Sequence, residues 1–195
     1  RPSIEKKADQ FDEQRWKAVW LSEAVQSSFG RTAPLKTALQ SNAPEYWSTL
    51  LRTVSPSSDE PIRSADWYAA ESALHRSAAV GEAIRFMILT TDSLERVVGA
   101  IEQSEAERTN CLRKDRRVVA LMRGHYANRI QPLMAMGDPT LRATSEVMDQ
   151  AVKTLIPSSE LSPSMKSWMA LWSDQTVFQA YREAIHRHAQ AIGGI

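Results

Sequence analysis

Cysteine is almost missing from this chain. Cys111 is alone among 195 residues, so there is no intrachain disulfide and no C-x-x-C metal or redox pair. A chain without disulfides points to an intracellular setting, cytoplasmic or nuclear. No apolar run approaches the roughly 20 residues needed to span a membrane. Charge of one sign is lacking too: 24 lysines and arginines face 23 acids, for a net charge of +1. General binding of polyanions needs a cationic excess that this composition does not have, although a local basic patch remains open. No strand-like alternation is bounded by hairpin turns, and no segment repeats. Gly-rich phosphate loops, a His-Glu-x-x-His helix and a nucleophile elbow are all absent. The chain opens on Arg1-Pro2-Ser3 rather than on methionine, and it is expected to be a segment of a longer protein.

What is there is an ordinary globular composition, 43% apolar and 24% charged, long enough to bury a core without staples. The periodicity predicts an all-α fold, an irregular bundle of six to eight helices. A first helix is expected from Ile4 to Ser28, closed by Gly30 in a left-handed cap. Pro34 opens a short helix to Gln40, and Ala43-Pro44 a third to about Val54. The Ser55–Pro61 stretch is the clearest loop. Ser64 caps a helix expected to reach about Thr90, with Ala70, Ala78 and Gly81 letting a neighbour come close. Asp138-Pro139 is expected to restart a helix that stops before Pro157, and Ser162-Pro163 a last helix or pair of helices.

Asp92 followed by Glu95 is a capping-box pattern, and no proline intervenes until Pro132. This predicts a central helix over about 92–131, roughly 60 Å long at about 1.5 Å per residue. Leu94, Val97, Ile101, Leu112, Val119, Met122, Tyr126 and Ile130 fall within a stripe of about 80° on that helix. Arg108 and Asp115 sit on the same stripe and make its middle polar. A break near Gln103-Ser104, a bridge between sub-bundles 1–91 and 105–195, or a paired polar layer would each account for this. The chain is otherwise read as one domain, 1–195, around this spine.

Two residue sets are candidate sites. Arg113, Arg116, Arg117 and Arg123 project within about 120° of one another beside the apolar stripe, a face suited to an anionic partner such as RNA or DNA. The alternative is an arginine face paired with acids of neighbouring helices, such as Asp9, Asp12 and Glu13. Trp16 with Trp20, and Trp168 with Trp172, are i, i+4 pairs. These are core residues if buried and interface anchors if exposed.

Other patterns carry less. Glu71 and His75 with Glu183 and His186 would need two helices to meet before they could hold a metal. Arg182 and His188 have the Arg-x5-His spacing of some helical ribonucleases, without the rest of that family's character. Arg108 and Arg113 flank Cys111 and would favour its thiolate, but no histidine partner follows. Trp67 and Glu71 fit the Trp-x-x-x-Glu spacing of bacterial effectors that regulate small GTPases. Six tryptophans generate such a match by chance, and no counterpart of those effectors' catalytic loop follows. In such a protein Trp67 and Glu71 would be structural supports. The expectation is therefore a non-catalytic protein–protein interaction or assembly module with no cofactor, whose partner is another protein or a second copy. The alternatives are a nucleic-acid-binding helical domain and an effector-like GTPase regulator.

Overall fold

The computed structural model describes residues 14, 19–30, 34–54, 64–76, 79–106, 116–154 and 163–194. These are helical almost throughout and contain no strand, so the chain is all-α as its periodicity predicts. In order they form α1 (Glu23–Gly30), α2 (Leu35–Leu39), α3 (Ala43–Val54), α4 (Ser64–Arg76) and α5 (Ala79–Ala106). Next come α6 (Arg116–His125), a π turn (Tyr126–Ile130) and α7 (Gln131–Thr154), which are continuous. Pro163–Trp172 is α8, Ser173–Gln175 a 3-10 turn, and Thr176–Gly194 is α9.

The hub is α5, against which α1, α2, α7 and α9 all pack. Its first turn is buried all round (Ala79, Val80, Gly81, Ala83). From there Met87, Leu94, Val98 and Ile101 continue as one stripe at helical spacing. Asp92 does not open a helix as the sequence suggests. It lies inside α5 and takes an i, i+4 salt bridge from Arg96 at 2.8 Å. The burial of residues on both sides overrides a local capping signal. Of the expected 92–131 helix, one part is the second half of α5 and the other is α6 with the π turn. Arg108 and Asp115 lie outside the described residues.

Other helix ends differ for identifiable reasons. Leu21 and Ser22 form a turn and bend before α1. The Ser22 hydroxyl accepts the Val25 N–H at 3.2 Å and caps the new helix. None of the described glycines has positive φ, so Gly30 stays helical instead of forming the expected left-handed cap. At the other end α7 runs straight through Asp138-Pro139. A proline inside a helix costs about 3 kcal/mol. Here Pro139 faces out while Met134, Gly137, Leu141, Thr144, Met148 and Ala151 keep one buried stripe in phase across it. Pro132 follows the π turn. There Gln131 N–H bonds to the Tyr126 carbonyl, and the wider turn gives the ring room beside the backbone behind it.

Trp20, Phe29, Trp47, Trp168 and Trp172 form a cluster of mostly edge-on rings. Centroids are 5.1 Å apart for Trp20–Trp168, 5.3 Å for Phe29–Trp168, 5.6 Å for Trp20–Trp47 and 6.3 Å for Trp168–Trp172. It ties the start of the described chain to α3 and α8, at about 1 kcal/mol per ring pair beyond simple burial. The α8–α9 corner holds Asp174 (φ 53°) and Gln175 (φ 57°) in the left-handed region. The Asp149 carboxylate stabilises it by accepting the Asp174 N–H at 2.8 Å. Lys153 bridges Asp149 at 2.9 Å and Asp174 at 3.0 Å, which raises the pKa of its ammonium.

This packing predicts the effect of three substitutions on stability. A Cβ at Gly81 would fall on the Phe29 carbonyl, whereas one at Gly99 meets open space. Gly81→Ala should therefore lower the unfolding free energy by about 1–3 kcal/mol through overpacking. Gly99→Ala should raise it by about 0.5–1 kcal/mol. Urea unfolding of the two variants side by side checks both signs. Asp149→Ala removes the acceptor of the Asp174 N–H and should cost about 1 kcal/mol, read as a lower urea midpoint with unchanged slope.

Candidate binding groove

Two apolar cavities open along one face of α5. On that helix Phe86, Leu89, Ser93 and Val97 recur at three- and four-residue steps, so they share a face. The first cavity, about 360 Å³, is lined by Leu35 of α2, by Glu82, Phe86, Leu89 and Leu94 of α5, and by Ile130 of the π turn. The second, about 390 Å³, is lined by Val97, Leu121, His125, Tyr126, Ile130, His188 and Ile192. Ile130 belongs to both, so the two cavities are neighbours along this face, which is called the groove below. At its edges Leu89 is 57% and Leu121 is 74% exposed, a large apolar surface to leave in water for side chains of this size.

Local structure explains the walls. α9 buries Val177, Tyr181, Ala184 and His188 at steps of four, three and four, which turns His188 and Ile192 toward α5. Four-residue spacing places Leu121 and His125 on one face of α6. The π turn then carries Tyr126 over the His188 ring, with centroids 4.8 Å apart and planes at 47°. Salt bridges flank this assembly: Arg187 reaches Glu95 at 3.6 Å and Glu102 at 3.9 Å. At the first cavity Glu82, nearly buried, is paired with Arg85 at 2.8 Å.

The second cavity is apolar but for its rings. His188 is 4% exposed, and its Nδ1, out of contact with solvent, has no hydrogen-bond partner among the described residues. Burial lowers the His188 pKa and raises that of the Tyr126 phenol. Both are therefore neutral near pH 7, and among the described residues no carboxylate orients the imidazole. An apolar pocket with a few convergent polar groups is suited to binding.

The sequence-predicted residues fall as follows. Arg113, Trp16 and Cys111 lie outside the described residues, as do Asp9, Asp12 and Glu13. Arg116 and Arg117 begin α6, with their side chains outside the described part. Arg123 is exposed, and its guanidinium donates to the Ile192 carbonyl at 3.3 Å. It thereby satisfies one of the last carbonyls of α9, which lack partners within the helix. Trp20 and Trp172 are core residues and Trp168 is half-buried between them. Trp67 is half-buried against the core, on α4 with Glu71. Arg182 is bound to Asp138 at 2.8 Å, while His188 faces the groove, so the two do not converge. Asp138 also takes Arg142 at 3.1 Å and sits near the Tyr181 phenol, whose pKa burial raises. His186 bonds Gln190 at 2.8 Å. Among the described residues no three His, Cys, Asp or Glu side chains converge as metal ligands, and no helix is long and apolar enough to cross a membrane.

The groove itself was not visible in the sequence. Val97, Tyr126 and Ile130 had the phase of a single apolar seam, and the structure sets them on opposite walls.

Because burial lowers its pKa, His188 takes up a proton less readily in the folded chain than in the unfolded one. Its contribution to stability is complete above the ordinary histidine value of about 6.5. It is lost as pH falls from there toward the folded pKa. Between pH 7.5 and 5.5 the melting temperature of the wild-type chain should fall more than that of His188→Phe, which keeps every other titrating group. Parallel melts across that window check this.

Comparison with curated proteins and with solved structures finds no match. Over residues 1–192 the chain matches the family described as Protein of unknown function (DUF3080), and it belongs to that family.

Proposed function

We propose that this chain is a non-catalytic, helical protein–protein interaction module, and that its working surface is the groove along α5. The observation that carries this is the exposure of Leu89 and Leu121 at the edges of two neighbouring apolar cavities that share Ile130. Covering such side chains is a large favourable term in association, and apolar pockets ringed by polar residues take the anchor residues of partners. The polar groups within the groove are few, and Glu82 is already paired. The interaction supplied is therefore apolar and depends little on salt.

A second proposal is nucleic-acid binding through α6 and the π turn. One observation favours it: residues 116–137 contain Arg116, Arg117, Arg123, Arg129 and His125 and no acid. The two proposals differ in their response to salt, since phosphate contacts release counterions and weaken steeply as salt rises, whereas apolar contact depends little on it. The third candidate, small-GTPase regulation, has only the Trp67–Glu71 spacing in its favour.

Photocrosslinking separates these. With benzoylphenylalanine at position 121, a discrete protein adduct is expected that survives high salt. It should disappear in Leu89→Asp and persist in Arg116→Glu/Arg117→Glu. The same probe at Ala180, on the exposed face of α9, should give none. A crosslink to RNA or DNA that fades with salt and is lost in the double arginine variant would replace the first proposal with the second.

A further inference from the structure

The setting of His188 makes its protonation a mechanical event. The ring is buried, and its Nδ1 is out of contact with solvent and without a hydrogen-bond partner among the described residues. Tyr126 of the π turn lies against it. The cavity beside it is walled by Val97, Leu121, Ile130 and Ile192. A neutral imidazole tolerates these surroundings. An imidazolium would give up its hydration there and leave an N–H unpaired. The Tyr126 ring face offers a cation some attraction, less than the hydration lost.

The charged groups around the site supply no partner. On α5, Glu95 and Glu102 are half or more exposed and engage Arg187 of α9. On α6 and the π turn the described charged and titratable side chains are Arg123, His125, Tyr126 and Arg129, none of them a carboxylate. On α9 itself His186 bonds Gln190. Asp138 of α7 engages Arg182 farther back along α9, and Asp174 is tied to Lys153 at the opposite end of that helix.

The two sides of the Tyr126–His188 contact are held differently. α9 packs along α5 and buries Tyr181, Ala184 and His188. Among the described elements, α6 is close-packed only with the π turn that continues it, and the π turn only with α6 and α7. The arm they form meets α9 through side chains, Tyr126 on the His188 ring and Arg123 on the Ile192 carbonyl. Behind the arm α7 is anchored: Met134 is buried, and Gly137 lies against Leu39 of α2. Between arm and anchor stand the π turn and Pro132, which removes one N–H from the helical ladder. Helices bend at such points.

We propose that α6 is a hinged arm, held on α9 while His188 is neutral and released when His188 is protonated, with the π turn and Pro132 as its hinge. Water reaches the imidazole in the released form, so that form takes up the proton more readily, and a fall in pH shifts the population toward it. The motion requires no partner in the groove.

Spin-label distances measured by electron paramagnetic resonance test this on the complete chain. Labels go at exposed positions of α6 and α9, Ala120→Cys and Ala189→Cys, in a Cys111→Ser background. A control pair at Ser48→Cys and Tyr68→Cys reports on α3 and α4. At pH 7.5 a single α6–α9 distance is expected. As pH falls below about 6.5 a second, longer distance should grow in, while the control distance and the far-UV circular dichroism stay unchanged. His188→Phe keeps a buried ring without the charge and should hold the single distance throughout. His188→Arg carries a permanent charge and should show the longer distance already at pH 7.5; if it does not fold, the His188→Phe comparison decides. A single distance at every pH would overturn the hinged arm. So would a longer distance that persists in His188→Phe, or a loss of helicity in step with the distance change.

Discussion

The structure depends on taking one helix, α5, out of water along most of its length. Its first turn is buried on every side, and from Met87 to Ile101 a single stripe remains covered. That stripe is what α9 packs against, and α1, α2 and α7 close around the rest. At Gly81 the α1 backbone comes so near that no side chain fits. The hydrophobic burial concentrated here outweighs local signals elsewhere, including the capping pattern at Asp92 and the proline at 139. The aromatic cluster of Trp20, Phe29, Trp47, Trp168 and Trp172 does related work beside that contact, joining segments far apart in sequence.

The groove is a consequence of how that burial ends. Val97 of α5, Ile192 of α9 and Tyr126 and Ile130 of the π turn line a cavity that none of them fills. Tyr126 and Ile130 sit in the π turn, where one extra residue per turn shifts the phase of the helix. Such turns recur at functional sites because they re-aim side chains without ending the rod. Pro132 follows at once and favours the wide turn where it stands. Sequence, backbone irregularity and cavity are in this way linked: the proline goes with the π turn, and the π turn carries the ring that covers His188.

Arg123 illustrates how a residue conspicuous in sequence acquires a local task. It belongs to a basic face, yet its guanidinium is bonded to the carbonyl of Ile192 at the end of α9. This helps hold the wall of the second cavity in place. It also keeps positive charge at the C-terminus of α9, where the helix dipole favours it.

The sequence alone determined the helical class and several element ends: Val54 as the end of α3, Ser64 and Pro163 as starts, and small residues where helices touch. These follow from short-range physics, namely apolar periodicity, prolines and caps, and the absence of a Cβ. It also contained the α7 stripe from Met134 to Ala151, although the Asp138-Pro139 pair masked its continuity. Tertiary structure decided the rest. Whether Asp92 starts a helix depends on what buries its neighbours, and whether Trp20 and Trp172 are core or surface depends on which helices meet them. That Val97, Tyr126 and Ile130 line one cavity depends on how α5 and the α6–α7 segment are packed together. Each is a choice between locally similar states made by contacts distant in sequence, and periodicity along one segment carries no record of them.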